Sequence, residues 1–362
     1  MEEGFFITPI PRVPERKEHI IMKKSKIVIA AFLAAVTALT GCSNSATSSS
    51  GNSSETVSES SAADSSAAES EVSSDAASDV TSVESSDADD DEDYTTGDAS
   101  LDNPRNQDGI GEKELLVLSF GTSFNDSRRL TIGAIENDLE TAFPEYSVRR
   151  GFTANIVIDH VNRRDGEKID DIGESLDRAV ANGVKTLVVQ PTHLMNGLEY
   201  DELCEKIASY SDAFDKIVIG DPLLTSDDDF NTVADAIVDW TKDYDDGETA
   251  IVFMGHGTEA ASNAVYQKMQ DLLTTKGKTN YFIGTVEAEP SLEDVVAAVK
   301  AGGYKKVVLE PLMVVAGDHA NNDMAGDEDD SWKSAFEKEG LEVTCLLRGL
   351  GENETIRGLY VA

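Results

Sequence analysis

Short apolar, β-branched segments alternate with longer amphipathic segments from residue 114 onward. The apolar segments have strand length and predict eight strands, at residues 115–119, 146–151, 185–190, 216–219, 250–254, 281–284, 306–310 and 342–346. The longer segments repeat apolar positions at the helical period and predict helices, among them residues 129–142, 169–181, 230–244, 261–274, 292–300 and 331–339. Nearly continuous apolar strands that alternate with helices indicate an α/β fold, in which parallel sheets are flanked by helices on both faces.

Two pairs of motifs recur in the same order, about 120–136 residues apart. Leu116-Val-Leu-Ser-Phe-Gly-Thr-Ser123 resembles Val252-Phe-Met-Gly-His-Gly-Thr-Glu259, and Gly183-Val-Lys-Thr-Leu-Val-Val-Gln-Pro191 resembles Gly303-Tyr-Lys-Lys-Val-Val-Leu-Glu-Pro311. The repeat predicts two similar halves, residues 113–246 and 247–362. Ligands of such sheets bind beyond the carboxyl ends of the strands, so we expect a cleft between the halves.

The amino-terminal residues predict targeting rather than a folded domain. Lysines precede an apolar run at residues 27–39, which is typical of a secretory signal, and the run ends in Leu39-Thr-Gly-Cys42. That ending resembles a bacterial lipobox, which implies cleavage before Cys42 and a lipid anchor on its sulfur. The alternative is an uncleaved membrane anchor with an incidental cysteine. We predict a lipoprotein signal peptide at residues 22–41 and an extracytoplasmic, lipid-anchored location, and we interpret residues 1–21 as an upstream mis-start.

Residues 42–112 are dominated by Ser, Ala, Asp, Glu and Thr, with an acidic run at residues 87–93. Because so few large apolar side chains occur there, we predict a disordered spacer behind the lipid anchor. Calcium binding by the acidic run is the alternative. The whole chain has 69 acidic and 30 basic residues and a net charge of −39, which argues against nucleic acid as a partner because phosphate contacts need clustered Lys and Arg.

Several common chemistries lack their motifs. No GxGxxG follows a strand and no GxxxxGK[ST] occurs, so we expect no nucleotide cofactor. The three cysteines, Cys42, Cys204 and Cys345, form no CxxC or Cys/His spacing, which excludes zinc fingers and iron–sulfur ligation.

Three potential metal ligands follow three successive predicted strands of the second half: His256, Glu287 and His319. A single histidine after a strand would by default have a capping or packing role. Three ligands at matching strand exits instead favour a metal site, and two imidazoles with one carboxylate suit Co²⁺, Fe²⁺, Ni²⁺ or Zn²⁺.

The chain from Leu115 to Tyr360 resembles the anaerobic-pathway sirohydrochlorin cobaltochelatases, the small class II chelatases. The motifs that carry the resemblance are Ser119-Phe-Gly-Thr-Ser123, Val189-Gln-Pro-Thr-His193, Gly255-His-Gly-Thr258, Thr285-Val-Glu287 and Val315-Ala-Gly-Asp-His-Ala-Asn-Asn-Asp-Met-Ala-Gly326. The resemblance implies two flavodoxin-like halves around a tetrapyrrole cleft. It also implies ATP-independent insertion of Co²⁺, or of Fe²⁺, into sirohydrochlorin during cobalamin biosynthesis. The metal ligands that it implies are His256, Glu287 and His319, and the two histidines would be catalytic.

Sirohydrochlorin carries several carboxylates, for which arginine forks are suitable partners. Arginine doublets occur in the first half near predicted strand and helix ends, although surface arginines paired with Asp and Glu are the alternative. His193 follows a strand and is either a core residue or a substrate contact. The candidate substrate-binding residues are Ser119, Gly121, Thr122, His193, Arg128 and Arg150.

The predicted export is unusual for a biosynthetic enzyme, because cobalamin precursors are made inside the cell. It motivates an alternative function, a tetrapyrrole- or metal-binding lipoprotein that serves an importer. A homo-oligomer is a further expectation about partners.

Overall fold

The computed structural model describes residues 96–362. The predictions for residues 1–95, which include the signal peptide, the Cys42 anchor and most of the spacer, lie outside the described residues. Within residues 96–362, no helix has the length and apolar character needed to cross a bilayer.

Eight strands form two four-stranded sheets in which every neighbouring pair is parallel. The strands are β1 Lys113–Ser119, β2 Ser147–Phe152, β3 Thr186–Pro191, β4 Lys216–Ile219, β5 Thr249–Gly255, β6 Tyr281–Thr285, β7 Lys306–Pro311 and β8 Glu342–Cys345. The sheet orders are β2-β1-β3-β4 and β6-β5-β7-β8, so the second half repeats the topology of the first. The predicted α/β fold of two similar halves is confirmed.

Helices connect the strands. They are α1 Asn125–Leu130, α2 Ile132–Ala142, α3 Asn155–Asp165, α4 Ile172–Ala181, α5 Leu198–Ala208, α6 Asp227–Trp240, α7 Ala264–Thr275, α8 Leu292–Gly302, α9 Trp332–Lys338 and α10 Glu354–Val361. Several begin where the sequence supplies a reciprocal cap: Ser226 and Asp229 at α6, and Ser291 and Asp294 at α8, each satisfy the other's backbone N–H.

The strands are apolar on both faces because both faces of each sheet are covered. In β1, Leu115 and Val117 face one cluster of buried side chains while Leu116 and Leu118 face another. The outer cluster of the first sheet packs against α4 and α5, and the outer cluster of the second sheet packs against α8 and α9.

A third cluster lies between the two sheets and draws on both halves. It joins β1 and β5 side chains with apolar residues of α2, α6, α7 and α10. The last helix, α10, packs against α2 and α6, and its buried Tyr360 donates a 3.0 Å hydrogen bond to the Thr192 carbonyl just after β3. The two halves therefore share one core and hold their strand exits in a fixed relation.

The prediction of a disordered spacer up to residue 112 is wrong for its last part. Residues 96–112 run along the first half, and Arg105 among them is 2% exposed and ion-paired with Glu136 and Glu140. Gln107 donates to the Val148 carbonyl at 3.1 Å. The polar composition of residues 96–112 did not predict this order, because several of their polar side chains pair with residues of the first half.

Candidate metal centre

The three candidate ligands lie at one edge of the second sheet. His256 directly follows β5, Glu287 comes two residues after β6, and His319 begins the single π-helical turn Ala320–Met324 after β7. Since β6, β5 and β7 are adjacent parallel strands, their carboxyl ends bring these three side chains together.

Backbone hydrogen bonds join the segments that follow β5 and β6. The Val286 and Glu287 amides donate to the Gly255 and His256 carbonyls at 3.0 and 2.8 Å, so the β6 exit continues alongside the β5 exit. Gly257 has a φ of +90°, and a Cβ there would lie 2.8 Å from the Ala288 amide nitrogen. Only glycine fits this position without displacing backbone.

The ligand atoms of His256, Glu287 and His319 all lie within 4.8 Å of one another. The two imidazole rings are 4.7 Å apart between centroids and nearly perpendicular, at 87°. Nδ1 of His256 is also 3.7 Å from Oε2 of Glu287. This spacing places two nitrogen donors and one carboxylate around a volume suited to a single divalent ion.

Each imidazole has an oxygen acceptor beside Nδ1. The partner of His256 is the Gly257 carbonyl and that of His319 is Oδ2 of Asp323, both at 2.8 Å. An Nδ1–H bonded in this way leaves the lone pair on Nε2, the atom that can then bind a metal. The hydrogen bond to Asp323 raises the pKa of His319 above its usual value, although burial opposes the shift.

The site is open to incoming molecules. The side chains of His256 and Glu287 are 45% and 56% exposed, and that of His319 is 33% exposed. Three protein ligands with open coordination positions are typical of a site where a metal reacts, whereas structural sites are closed by four.

The first half contributes side chains near the metal site where β3 ends. His193 is almost buried, and neither of its ring nitrogens has a hydrogen-bond partner within the described residues. Its Nε2 lies 3.7 Å from Oε2 of Glu199. Burial lowers the pKa of His193 to about 4, so the ring is neutral near neutral pH.

Glu199 is the residue that the sequence analysis missed. Burial raises the pKa of the Glu199 carboxyl, the charge of His256 lowers it and the charge of Glu287 raises it again. Glu199 therefore interacts electrostatically with two of the three candidate metal ligands. A signal was present, because Glu199 lies in the first turn of α5 beyond the carboxyl end of β3, a position equivalent to those of the metal ligands in the second half.

Arg128 and Arg150 do not bind substrate, and that prediction is wrong. Both are buried, and both bind the Asp102 carboxylate, with Nε of Arg128 and Nη1 of Arg150 each 2.7 Å from Oδ2. Arg150 also binds Glu136 through two 2.8 Å hydrogen bonds. Guanidinium groups saturated by the protein's own carboxylates cannot reach a ligand in the cleft.

The loop after β1 contains the other predicted substrate contacts. Ser119 is buried and its hydroxyl accepts a 2.7 Å hydrogen bond from Thr192, while Oγ1 of the buried Thr122 accepts from the Phe124 amide. These two side chains shape the loop, and their role in substrate binding stays a prediction. Gly121 has a φ of +105° and backs onto the Phe152 ring, and its role, like that of His193, stays a prediction.

A family model described as cobalt chelatase (CbiK) matches residues 113–362. The chain belongs to the cobalt chelatase family. Its catalytic part therefore coincides with the two halves that share the central core.

Two curated relatives show how far the similarity extends. The chain is 36% identical to the sirohydrochlorin cobaltochelatase of Salmonella typhimurium strain LT2 over 251 residues, which is 69% of this chain and 94% of the relative. It is 30% identical to the sirohydrochlorin cobaltochelatase CbiKC of Nitratidesulfovibrio vulgaris strain Hildenborough over 259 residues, 70% of this chain and 91% of the relative.

A solved structure supports the fold of this chain. SirB from Bacillus subtilis with Fe³⁺ superimposes with a TM-score of 0.50 at 12% sequence identity, over 69% of this chain and 93% of that chain. At this identity the likeness concerns the fold alone.

Proposed function

We propose that the protein inserts Co²⁺ into sirohydrochlorin. The observation that carries the proposal is the convergence of His256, Glu287 and His319 within 4.8 Å at an open cleft. Family membership supports the choice of reaction, because both curated relatives are named sirohydrochlorin cobaltochelatases. Cobalt is a substrate in this reaction.

Metal capture is the first task of the site. Neutral imidazole nitrogens suit borderline divalent ions such as Co²⁺, and one carboxylate offsets half of the ion's charge. Because only three protein atoms take part, the ion keeps open positions at which ring nitrogens can replace water. A closed cage of four protein ligands would retain the ion instead of releasing it.

Proton removal is the second task, since two pyrrole nitrogens lose protons when the metal enters. Glu199 lies beside His193 with a raised carboxyl pKa, which brings it nearer to the range useful for a general base. In our proposal Glu199 accepts one pyrrole proton and solvent in the open site accepts the other, while His256 and His319 hold the metal.

The rim of the cleft also fits a flat macrocycle. Phe120, Ile156 and Leu198 follow β1, β2 and β3 respectively, and they are 45%, 67% and 63% exposed. Large apolar side chains exposed together beyond one sheet edge are typical of a ligand-binding surface. In our proposal they contact the apolar edges of the tetrapyrrole.

Spectrophotometric insertion of Co²⁺ into sirohydrochlorin by the purified protein tests the function. His256→Ala and His319→Ala should abolish insertion with little change in thermal stability, because both side chains are partly exposed and outside the core. Glu287→Gln should slow it less completely. His160→Ala, on α3 of the first half, is the matched control. A parent protein that shifts the ring spectrum without inserting metal would contradict the proposal.

We further propose that the protein is a lipid-anchored extracytoplasmic lipoprotein. Support comes from the lysines, the apolar run at residues 27–39 and the Leu39-Thr-Gly-Cys42 ending. Cys42→Ala should release the protein from the membrane fraction or leave its precursor uncleaved. Mass spectrometry of the native protein that shows an unmodified Cys42 would contradict the anchor.

A further inference from the structure

Residues 96–112, here named the strap, lie upstream of the segment that matches the cobalt chelatase family. The strap is bound along its length. The Thr96 carbonyl accepts from the Asp126 amide at 2.7 Å, Asn106 donates to the Lys168 carbonyl at 3.0 Å, and the Gly109 amide donates to Asn182 at 3.0 Å. It therefore forms part of the first half although it precedes the first strand.

Asp102 makes one of the most buried contacts of the strap, with a side chain that is 2% exposed. Its carboxylate binds Nε of Arg128 at 2.7 Å and both terminal nitrogens of Arg150 at 2.7 and 3.1 Å. Burial alone would raise the pKa of Asp102, but the hydrogen bonds and charges of the two arginines hold it below its usual value. Two guanidinium groups of the first half thus depend on one carboxylate of the strap.

Arg128 connects Asp102 to the cleft. Its Nη1 donates to the Thr122 carbonyl at 3.2 Å, in the loop that follows β1. Arg164 holds the next residue of the same loop by a 2.6 Å hydrogen bond to the Ser123 carbonyl. Two buried or half-buried arginines therefore determine where this loop lies.

The same loop touches the segment that carries His319. A Cβ at Gly317 would lie only 3.0 Å from Oγ1 of Thr122, so the two loops are in contact. The Ala316 amide donates a 3.0 Å hydrogen bond to Oγ of Ser127 at the start of α1. A continuous series of contacts runs from the strap through Arg128 and the β1 loop to residues two and three positions before His319.

We propose that Asp102 is a positioning residue of the metal site, which acts through Arg128 to hold the β1 loop against Gly317 and so fixes the place of His319. This inference rests on the proposed function, because it assumes that His256, Glu287 and His319 bind Co²⁺. Asp102 does not touch the metal or the ring. Contacts of this kind modulate a distant site moderately, so a loss of roughly tenfold in Co²⁺ affinity is expected when the series is broken.

The test compares Co²⁺ affinity, measured by calorimetry without tetrapyrrole, and the kcat for insertion in three full-length variants and the parent. Asp102→Asn removes the charge that orients Arg128. The double variant Asp102→Asn/Arg128→Met removes one charge of each sign, so it restores charge balance to the buried cluster while the contact to Thr122 stays broken. Glu140→Gln is the control, because it removes a strap ion pair that has no connection to the loop. The parent is the reference.

The double variant distinguishes positioning from simple stabilisation. We expect it to unfold near the parent temperature and yet to bind Co²⁺ about tenfold more weakly, while Glu140→Gln behaves as the parent. If Asp102→Asn does not fold, the double variant alone decides. Parental Co²⁺ affinity and kcat in a folded double variant would overturn the proposal. A parent that binds Co²⁺ but inserts none would contradict the proposed function and leave the affinity comparison intact.

Discussion

Asp323→Asn tests how the metal site is built. Oδ2 of Asp323 lies 2.8 Å from Nδ1 of His319, one turn earlier on the same segment. Asparagine keeps an oxygen that can accept the Nδ1 proton but removes the negative charge that makes the imidazole a stronger ligand. We expect weaker Co²⁺ binding with no loss of fold, because Asp323 is 41% exposed and outside the core.

The size of the effect follows from the exposure of the pair. Substitution of the hydrogen-bond partner of a metal-binding histidine costs about 10–100-fold in metal affinity. The Asp323 side chain is more than a third exposed, so water screens its charge and the lower limit applies. The expected loss is about tenfold, which corresponds to about 1.4 kcal/mol.

The loss should also depend on pH. Asp323 raises the pKa of His319, and a protonated imidazole cannot bind metal. Protons therefore compete with Co²⁺ at a higher pH in the parent than in the variant. The affinity difference should be greater near about pH 8 than near about pH 5.5, because protonation of His319 removes this ligand as the pH falls.

Calorimetric titration of Co²⁺ at those two pH values is the assay. Asp327→Asn is the matched control, because it removes a carboxylate that is 93% exposed and paired with Lys333, away from the imidazoles. Equal Co²⁺ affinity in the parent and the Asp323 variant at both pH values would refute the reasoning. So would an equal loss in the control, which would show a general effect of surface charge.

Two further predictions concern stability. Arg348→Met leaves the buried Glu310 without its 2.7 Å partner, so the free energy of unfolding at about pH 7 should fall by about 3 kcal/mol. Burial raises the pKa of Glu310, so the loss of stability should appear as the pH rises above the unfolded glutamate pKa of about 4.3 and should vanish in acid. Urea unfolding at several pH values checks this. The double variant Arg348→Met/Glu310→Gln should recover most of the loss. A chain that begins at residue 96 should keep the parent stability, whereas one that begins at residue 113 lacks Asp102 and should lose about 3–5 kcal/mol. Equal melting temperatures for the two truncated chains would contradict a stabilising role for the strap.

The fold and the metal triad could be predicted because both follow from strand periodicity and topology. Once β5, β6 and β7 are parallel neighbours, residues just beyond their ends must lie close together, which is how His256, Glu287 and His319 were found. No side-chain detail was needed for that step.

The arginines could not be placed in the same way. Strand β2 is buried on both faces, so alternation along it does not distinguish a cleft-facing Arg150 from a core-facing one. The partner that settles its place, Asp102, lies 48 residues earlier in a segment whose composition resembles a solvated spacer. Pairing between distant charges is a tertiary property, and local sequence patterns do not report it.

The position of α10 has a consequence for how the protein is made. Residues 354–361 are synthesised after both sheets, yet α10 packs on α2 and α6 and completes the core that the two halves share. A growing chain therefore cannot complete that shared core before these residues emerge, whereas the outer core of the first half contains no residue of α10 and can form earlier.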